Sequence, residues 1–283
     1  MYDIIVLVIN MDIELIKGIG PKAIEYLSKT KSLLHSSEMY SKILNGSDIG
    51  LDIEIKSFDF SKIAEKKELV VEKIRKSLEL AVKNSGVNVV YAEADVIDSN
   101  TIKTADGSEY KVKDIIQAIG SKPREITNLE FDNKFILSSD DVLKLEKLPQ
   151  SVLIIGSGAI GIEWARIFSN FGVSVTIIEL AEHLIPLADI EVSKRIERIF
   201  KQKKIDYYLN TVVEKIENRQ VTLSNGKVLS PDFILSAVGR VPLTVNDKVS
   251  NILGDACGEI QLAHYAILQG HNFACNNEAK LDK

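Results

Sequence analysis

The sequence predicts an α/β protein with two domains of common design, each built on a parallel sheet and completed by β-hairpins. Continuous apolar runs alternate with segments of helical spacing, which is typical of strands buried on both faces of a parallel sheet. The dipeptides Asp106-Gly107 and Asn225-Gly226 are tight-turn signals of hairpins. Two predicted strand ends also share one pattern, in which a proline follows three residues after a glycine: Gly120 with Pro123, and Gly239 with Pro242.

The first half of the chain is predicted to hold a strand, a long helix and a hairpin region. Residues 2–9 are a continuous apolar run rich in β-branched residues, and residues 89–96 predict another strand. Between them, residues 60–84 place apolar side chains at helical spacing and end just before Gly86. The turn at Asp106-Gly107 joins short alternating segments that lead into residues 115–119.

The second half is predicted to be a regular series of strands and helices. Strands are expected at 152–155, 174–179 and 206–209, and helices at 159–171 and 190–203. This alternation predicts parallel βαβ units. A closing strand is expected at 233–238 after the second hairpin turn. Residues 130–150 are interpreted as the connection between domains.

The repeated strand end supports the interpretation of two related domains. In both copies a turn-closed hairpin leads into the strand that ends at the glycine. Chance similarity of two short strand ends is the alternative interpretation.

Composition excludes several classes of partner. The 35 basic residues are outnumbered by 40 acidic ones, and no basic cluster is interleaved with aromatic residues, so no nucleic-acid partner is predicted. No apolar run approaches the roughly 18 residues of a membrane helix, and residues 1–10 lack the features of a signal peptide. We therefore expect no membrane association and a cytoplasmic location. The two cysteines, Cys257 and Cys275, lack metal-ligand spacing, so no metal site is predicted.

A glycine loop carries the clearest functional signal. It runs from Gly156 to Gly161 with the sequence Gly-Ser-Gly-Ala-Ile-Gly, directly after an apolar strand and at the start of a helix. The first glycine permits a tight turn, the second lets the backbone approach a diphosphate, and the third allows close packing of helix on strand. The helix start adds N–H groups and a positive dipole end. A purely structural role for the glycines is the alternative.

Glu179 indicates which dinucleotide binds. It ends the next predicted strand, where a carboxylate can accept hydrogen bonds from the ribose 2′-hydroxyl of NAD and would repel the 2′-phosphate of NADP. No arginine follows in the residues Leu180, Ala181, Glu182 and His183. The sequence therefore predicts an NAD site.

On these residues the chain resembles the flavin-dependent pyridine nucleotide-disulfide oxidoreductases, and within them the dihydrolipoamide dehydrogenases. The match is densest over residues 135–242, which include VLIIGSGAIGIEW from Val152 and SAVGRVP from Ser236. Shorter flanking pieces also match: MYDIIV from Met1, KSLLHSS from Lys31, AIGSKPR from Ala118, Gly254-Asp255 and QLAH from Gln261.

The resemblance implies two Rossmann-like domains with assigned cofactors. It makes residues 1–146 an FAD-binding-like domain, 147–243 an NAD-binding Rossmann domain and 244–283 the return segment of the first. It pairs Lys31 with Glu163 near the isoalloxazine. It assigns FAD contacts to Lys31, Gly120, Ser121 and Asp255, and places beside the flavin Gln261, Leu262, Ala263 and His264. It assigns NAD contacts to Gly156, Ser157, Gly158, Ala159, Ile160, Gly161, Ile162, Glu163, Glu179, Val212 and Gly239.

Departures from the family pattern bear on activity. After the first strand no glycine occurs before Gly18, where the family has its glycine-rich FAD loop. The two positions expected to hold the redox cysteines are Lys22 and Leu27, which cannot form a disulfide. The chain stops at Lys283, so the family's homodimerisation domain is expected to be absent.

Two main hypotheses follow. In the first, the protein transfers hydride between NAD(H) and FAD, with lipoamide disulfide chemistry lost, and no residue is assigned as catalytic. In the second, it is a non-catalytic NAD-binding relic. A third hypothesis makes it an interaction module of an α-ketoacid dehydrogenase complex.

Overall fold

The computed structural model describes residues 6–9, 21–84, 86, 88–127, 129–243, 248–249 and 251–281, with side chains omitted at 6–9, 21–27, 48–49 and 274–281. The chain divides into two compact units. The central unit comprises Ser28–Val71 and Pro123–Gly239. The terminal unit comprises the described residues of Met1–Leu27, Glu72–Lys122 and Arg240–Lys283.

The described residues form a mixed α/β fold. The α-helices are α1 (Pro21–Leu44), α2 (Phe60–Asn84), α3 (Ala159–Asn170), α4 (Ile190–Lys203) and α5 (Ala263–Leu281). Short 3₁₀ helices lie at Gly46–Ile49, Val142–Lys144 and Gly254–Cys257. The strands are β1 (Val6–Ile9), β2 (Ala94–Asp98), β3 (Thr101–Thr104), β4 (Glu109–Lys111), β5 (Asp114–Gln117), β6 (Ser121–Pro123), β7 (Ile136–Leu137), β8 (Ser151–Ile155), β9 (Ser174–Ile178), β10 (Asp206–Tyr208), β11 (Val213–Glu217), β12 (Gln220–Leu223), β13 (Val228–Leu229), β14 (Phe233–Ser236), β15 (Arg240–Pro242) and β16 (Asn251–Ile252).

A five-stranded parallel sheet is the core of the central unit. Its strand order is β10-β9-β8-β14-β7. In the register, Ile154 of β8 lies between Ile177 of β9 and Leu235 of β14, and all three side chains are fully buried. This burial on both faces explains the continuous apolar runs in the sequence. The predicted βαβ series is confirmed, and each element boundary agrees to within two residues.

Helix α3 packs on this sheet through aromatic side chains. Trp164 and Phe168 are almost fully buried, with ring centroids 5.3 Å apart. Phe168 also meets Phe233 of β14 edge-on, with centroids 6.0 Å apart. The helix therefore contacts β14 through Phe168. Its first residue, Ala159, lies just after the carboxyl end of β8.

The order in which the strands are connected indicates where a ligand crevice lies. From β8 the chain moves through α3, β9 and α4 to β10 on one side, whereas β14 and β7 lie on the other side of β8. The strand order therefore changes direction between β8 and β14. In open α/β sheets, ligands bind outside the carboxyl ends of the strands at such a point.

Both predicted hairpin turns are confirmed. In the central unit, Asn225-Gly226 joins β12 to β13, and Gly226 adopts φ 81°. In the terminal unit, Asp106-Gly107 joins β3 to β4, and Gly107 adopts φ 88°. Glycine is favoured at both turns because L side chains are strained at positive φ.

The terminal unit has a mixed sheet. Strand β1 pairs antiparallel with β5, and β16 pairs parallel with β5. The parallel sheet predicted around residues 2–9 is wrong for β1, because a hydrophobic run indicates burial but carries no signal for strand direction. Of that run, residues 2–5 lie outside the described residues. This unit has a small hydrophobic core, which consists of Val96, Ile102, Val112, Ile115 and Val249.

Helix α2 forms at its predicted bounds, but two other predictions are corrected. Strand β2 begins only at Ala94, and Val89, Val90 and Tyr91 are more than half exposed outside any strand. β-branched residues favour a strand only where a partner strand is available. The segment 130–150 is not only a connection, because β7 within it pairs with β14.

Two described helices, α1 and α5, were not predicted. Among the described helices, none has the length and apolar character needed to cross a bilayer.

Candidate functional site

The glycine loop begins where β8 ends. Gly156 adopts φ 95°, and its N–H donates to the Ile178 carbonyl at 2.9 Å. A Cβ added at Gly156 would lie 2.7 Å from the Ala237 carbonyl oxygen, closer than real Cβ atoms come. The loop is therefore held between the ends of β9 and β14, and only glycine fits its first position.

The other two glycines play contrasting roles. Gly158 is the N-cap of α3, makes no side-chain cap, and would meet nothing within 4 Å if it carried a Cβ. A Cβ at Gly161 would lie only 2.0 Å from the Gly156 carbonyl oxygen. Gly161 thus allows close packing, whereas Gly158 leaves open space in front of the helix.

The start of α3 offers unpaired donors to that space. Its first backbone bond runs from the Ile162 N–H to the Gly158 carbonyl at 3.0 Å. The N–H groups of Ala159, Ile160 and Gly161 therefore precede the first helical hydrogen bond. Such groups, together with the positive end of the helix dipole, favour a phosphate.

Glu179 presents a carboxylate at the end of β9. Its Oε2 accepts hydrogen bonds from the Ser157 amide and hydroxyl, both at 2.7 Å, and its Oε1 accepts one from the Ala181 amide at 3.0 Å. The residue is only 9% exposed. Burial acts to raise the pKa of Glu179, but the hydrogen bonds from Ala181 and Ser157 outweigh it and hold the pKa below its ordinary value. The side chain is therefore an ionised, fixed acceptor near neutral pH.

Val212 and Gly239 complete this edge of the sheet. The Thr211 amide donates to the Glu179 carbonyl at 2.9 Å, which brings the exposed Val212 next to the end of β9. Gly239 is exposed with φ 102° just after β14. The structure thus collects the residues expected to contact NAD at the carboxyl ends of β8, β9, β10 and β14.

The predicted pair of Lys31 and Glu163 is present. The Lys31 Nζ lies 2.6 Å from the Glu163 Oε1, which joins α1 to the first turns of α3. The Lys31 side chain is 63% exposed, so the pair contributes at most about 1 kcal/mol to stability.

In the terminal unit, three polar residues form a cluster. The Ser121 hydroxyl donates to the Asp255 carboxylate at 2.8 Å, and the Arg240 guanidinium donates to the Ser121 hydroxyl and carbonyl at 2.8 and 2.9 Å. Gly120, at φ 82°, precedes Ser121. The sequence analysis did not single out Arg240 as a member of this cluster, although its position directly after the glycine of a repeated strand end was a usable signal.

The segment of Gln261, Leu262, Ala263 and His264 lies at the start of α5. Leu262 and His264 are exposed. The Gly254 amide donates to the Gln269 Oε1 at 2.8 Å, so α5 is tied to the turn that carries Asp255. The segment 10–20 that follows β1 lies outside the described residues, as do the side chains of Lys22 and Leu27.

The thiol of Cys257 is held inside its unit. It donates to the Ile252 carbonyl at 3.0 Å, and burial is the main cause that raises its pKa above the ordinary value. A protonated thiol is a poor nucleophile. The side chain of Cys275 lies outside the described residues.

Sequence comparison identifies relatives among the dihydrolipoyl dehydrogenases. A family model described as pyridine nucleotide-disulphide oxidoreductase matches residues 10–267. A dihydrolipoyl dehydrogenase of Bacillus subtilis is 30% identical over 89% of this chain and 64% of its own length. Those of Geobacillus stearothermophilus and Chlorobaculum parvum are 33% and 37% identical, over 76% and 81% of this chain and 48% and 50% of their own lengths. The chain therefore spans about half to two thirds of these relatives.

Solved structures share the fold. LpdA from Mycobacterium tuberculosis matches with a TM-score of 0.76 at 19% identity, over 89% of this chain and 62% of that one. The HOCl-induced flavoprotein disulfide reductase RclA from Escherichia coli matches with a TM-score of 0.71 at 24% identity, over 86% and 59%. At these identities the likeness supports the architecture alone.

Proposed function

Because the chain belongs to the pyridine nucleotide-disulphide oxidoreductase family, we propose that its central unit binds NAD(H) at the glycine loop. The diphosphate lies at the start of α3, in the open space before Gly158. The ribose of the adenosine half donates to Glu179. One observation carries the proposal: an ionised, buried carboxylate lies at the end of β9 and bonds to the same loop whose helix start is uncapped.

Glu179 also supports NAD over NADP. A carboxylate held ionised by hydrogen bonds from Ser157 and Ala181 would repel a 2′-phosphate, and the four residues directly after Glu179 contain no arginine to neutralise one. When bound, NAD(H) supplies hydride chemistry. The residues of this chain bind the diphosphate, orient the ribose and select the coenzyme.

The direct test is a titration of purified protein with NADH and NADPH. Energy transfer from Trp164, the single tryptophan, provides the signal, and calorimetry confirms it. We expect NADH to bind at least about tenfold more tightly, because one charge-assisted hydrogen bond contributes that much. Glu182→Ala is the matched control, since this exposed carboxylate three residues away should not affect either affinity. Equal affinities, or no NADH binding at millimolar concentration, would refute the proposal.

Flavin-linked hydride transfer is the second candidate. It is favoured by the pair of Lys31 with Glu163 and by the cluster of Ser121, Asp255 and Arg240, because the family resemblance assigns Lys31, Ser121 and Asp255 to FAD. That cluster is already hydrogen-bonded within itself, and the sequence after β1 has no glycine before Gly18 to form a diphosphate loop. The glycine loop and Glu179 therefore fit NAD, whereas the sequence after β1 offers no glycine loop for the FAD diphosphate. We propose no flavin-dependent step for this chain, and a colourless purified protein that binds NADH is the expected result.

We also expect NADH-dependent reduction of lipoamide at background level, even with added FAD. The positions aligned with the redox cysteines hold Lys22 and Leu27, and neither side chain can exchange with a disulfide. The assay is NADH oxidation followed at 340 nm, with the Bacillus subtilis dihydrolipoyl dehydrogenase as positive control. Turnover by homogeneous, metal-free protein would contradict this expectation.

A further inference from the structure

Ser157, the second residue of the glycine loop, has a fully buried side chain. It is 0% exposed. Its hydroxyl donates to the Glu179 Oε2 at 2.7 Å and accepts from the Ile185 amide at 3.2 Å. One hydroxyl therefore links the loop before α3, the end of β9 and the loop 180–188.

We propose that Ser157 is a positioning residue. Its hydroxyl fixes the Glu179 carboxylate and thereby sets the preference for NADH over NADPH. The inference rests on the proposed NAD site and adds the residue that controls its selectivity. Ser157 acts through Glu179 and does not itself contact the coenzyme.

The distribution of donors over the carboxylate supports this role. A carboxylate offers about four acceptor positions, two on each oxygen. Both hydrogen bonds from Ser157 go to Oε2, whereas Oε1 accepts one from Ala181. Oε1 receives no hydrogen bond from Ser157, and we assign it to the ribose hydroxyl. Without the Ser157 hydroxyl, Oε2 loses one of its two hydrogen bonds from Ser157 and the carboxylate can rotate.

The Ser157 hydroxyl also holds the backbone of Ile185. Ile185 adopts φ 50°, a strained value for a β-branched residue, which persists only where neighbouring contacts hold it. Its amide bonds to the Ser157 hydroxyl, and its carbonyl accepts from the Ala188 amide at 2.9 Å. The adjacent Leu184 is fully buried. The hydroxyl of Ser157 therefore fixes the loop that follows Glu179 as well as Glu179 itself.

The test compares Ser157→Ala with Ser193→Ala, measuring the dissociation constants of NADH and NADPH for each. Ser193 is also 0% exposed, but its hydroxyl has no hydrogen-bond partner among the described residues. We expect Ser157→Ala to weaken NADH binding about tenfold with little change for NADPH, so that selectivity falls about tenfold. Ser193→Ala should keep the selectivity of the unmodified protein. A general loss of structure would weaken both coenzymes equally and would overturn the inference.

A double-mutant cycle with Glu179→Gln tests whether Ser157 acts through the carboxylate. We expect Ser157→Ala to change the NADH to NADPH ratio less than about twofold once Glu179→Gln is present. An equal effect in both backgrounds would overturn the inference.

If Ser157→Ala fails to give native circular dichroism, Ser157→Cys replaces it, because a thiol is a weaker donor and should lower selectivity by an intermediate amount. Unchanged selectivity in the Cys variant would again overturn it. Failure of the unmodified protein to bind NADH is a separate result, which refutes the proposed function instead.

Discussion

Replacing Gly161 with alanine should destabilise the central unit by at least about 3 kcal/mol, because the added methyl overlaps backbone that cannot move. The new Cβ would lie 2.0 Å from the Gly156 carbonyl oxygen and 3.1 Å from its carbon. Movement of Gly156 is restrained, since its amide donates to the Ile178 carbonyl at 2.9 Å and a Cβ built on it would lie 2.7 Å from the Ala237 carbonyl oxygen. Urea unfolding followed by Trp164 fluorescence measures the loss.

Gly158→Ala is the matched control for this substitution. Gly158 adopts φ −66°, and its added Cβ meets no atom within 4 Å. We expect the variant to unfold at nearly the same urea concentration as the unmodified protein. It should still bind NADH more weakly, because the methyl enters the space proposed for the diphosphate. Native stability for Gly161→Ala would show that the helix does not approach the loop as closely as described.

Replacing Glu179 with alanine should produce the second large effect. The substitution leaves three donors without an acceptor: the buried amide and hydroxyl of Ser157 and the partly buried amide of Ala181. We expect a loss of roughly 2 to 4 kcal/mol in stability, and NADH binding weaker by about 1 to 3 kcal/mol in the folded protein. Chemical denaturation and NADH titration measure the two losses. An unchanged dissociation constant in a folded variant would contradict the ribose role.

The lowered pKa of Glu179 predicts how the free energy of unfolding changes with pH. The hydrogen bonds outweigh burial and lower the folded-state pKa of Glu179 below its ordinary value of 4.5. The stabilisation is therefore fully present above that ordinary value and is lost as the pH falls through the lowered folded-state value. The difference in unfolding free energy between the unmodified protein and Glu179→Gln should shrink on acidification below pH 4.5. A difference that stays constant between pH 7 and the acid limit of folding would contradict this assignment.

Parts of the fold were predictable because each signal was local. The glycine loop, the helix from Phe60 to Asn84 and both hairpin turns depend on residues close together in the chain. Strand β1 was misjudged in direction, and Val89 to Tyr91 was misjudged as strand. Both depend on which strands are neighbours in space, and a run of β-branched residues does not encode that.

The candidate site also has features that local sequence predicts and features that depend on neighbours in space. The spacing of Gly156, Gly158, Gly161 and Glu179 predicted an NAD site, because these residue types suit a diphosphate and a ribose wherever a strand, turn and helix follow one another. That Ser157 is buried and bonds to both Glu179 and Ile185 was not predictable from spacing. The same holds for Arg240 and Ser121, which lie 119 positions apart in the chain.

The sequence by itself determined the βαβ order of the central unit, the glycine loop and the position of Glu179 at the end of the strand that follows the loop. It also places its two cysteines at positions 257 and 275. Only the tertiary structure decided the strand directions of the terminal unit, the partners of Glu179 and the lowering of its pKa. The physical reason is that backbone preferences act between near neighbours in the chain, whereas hydrogen bonding and burial depend on which residues the packed sheet brings together.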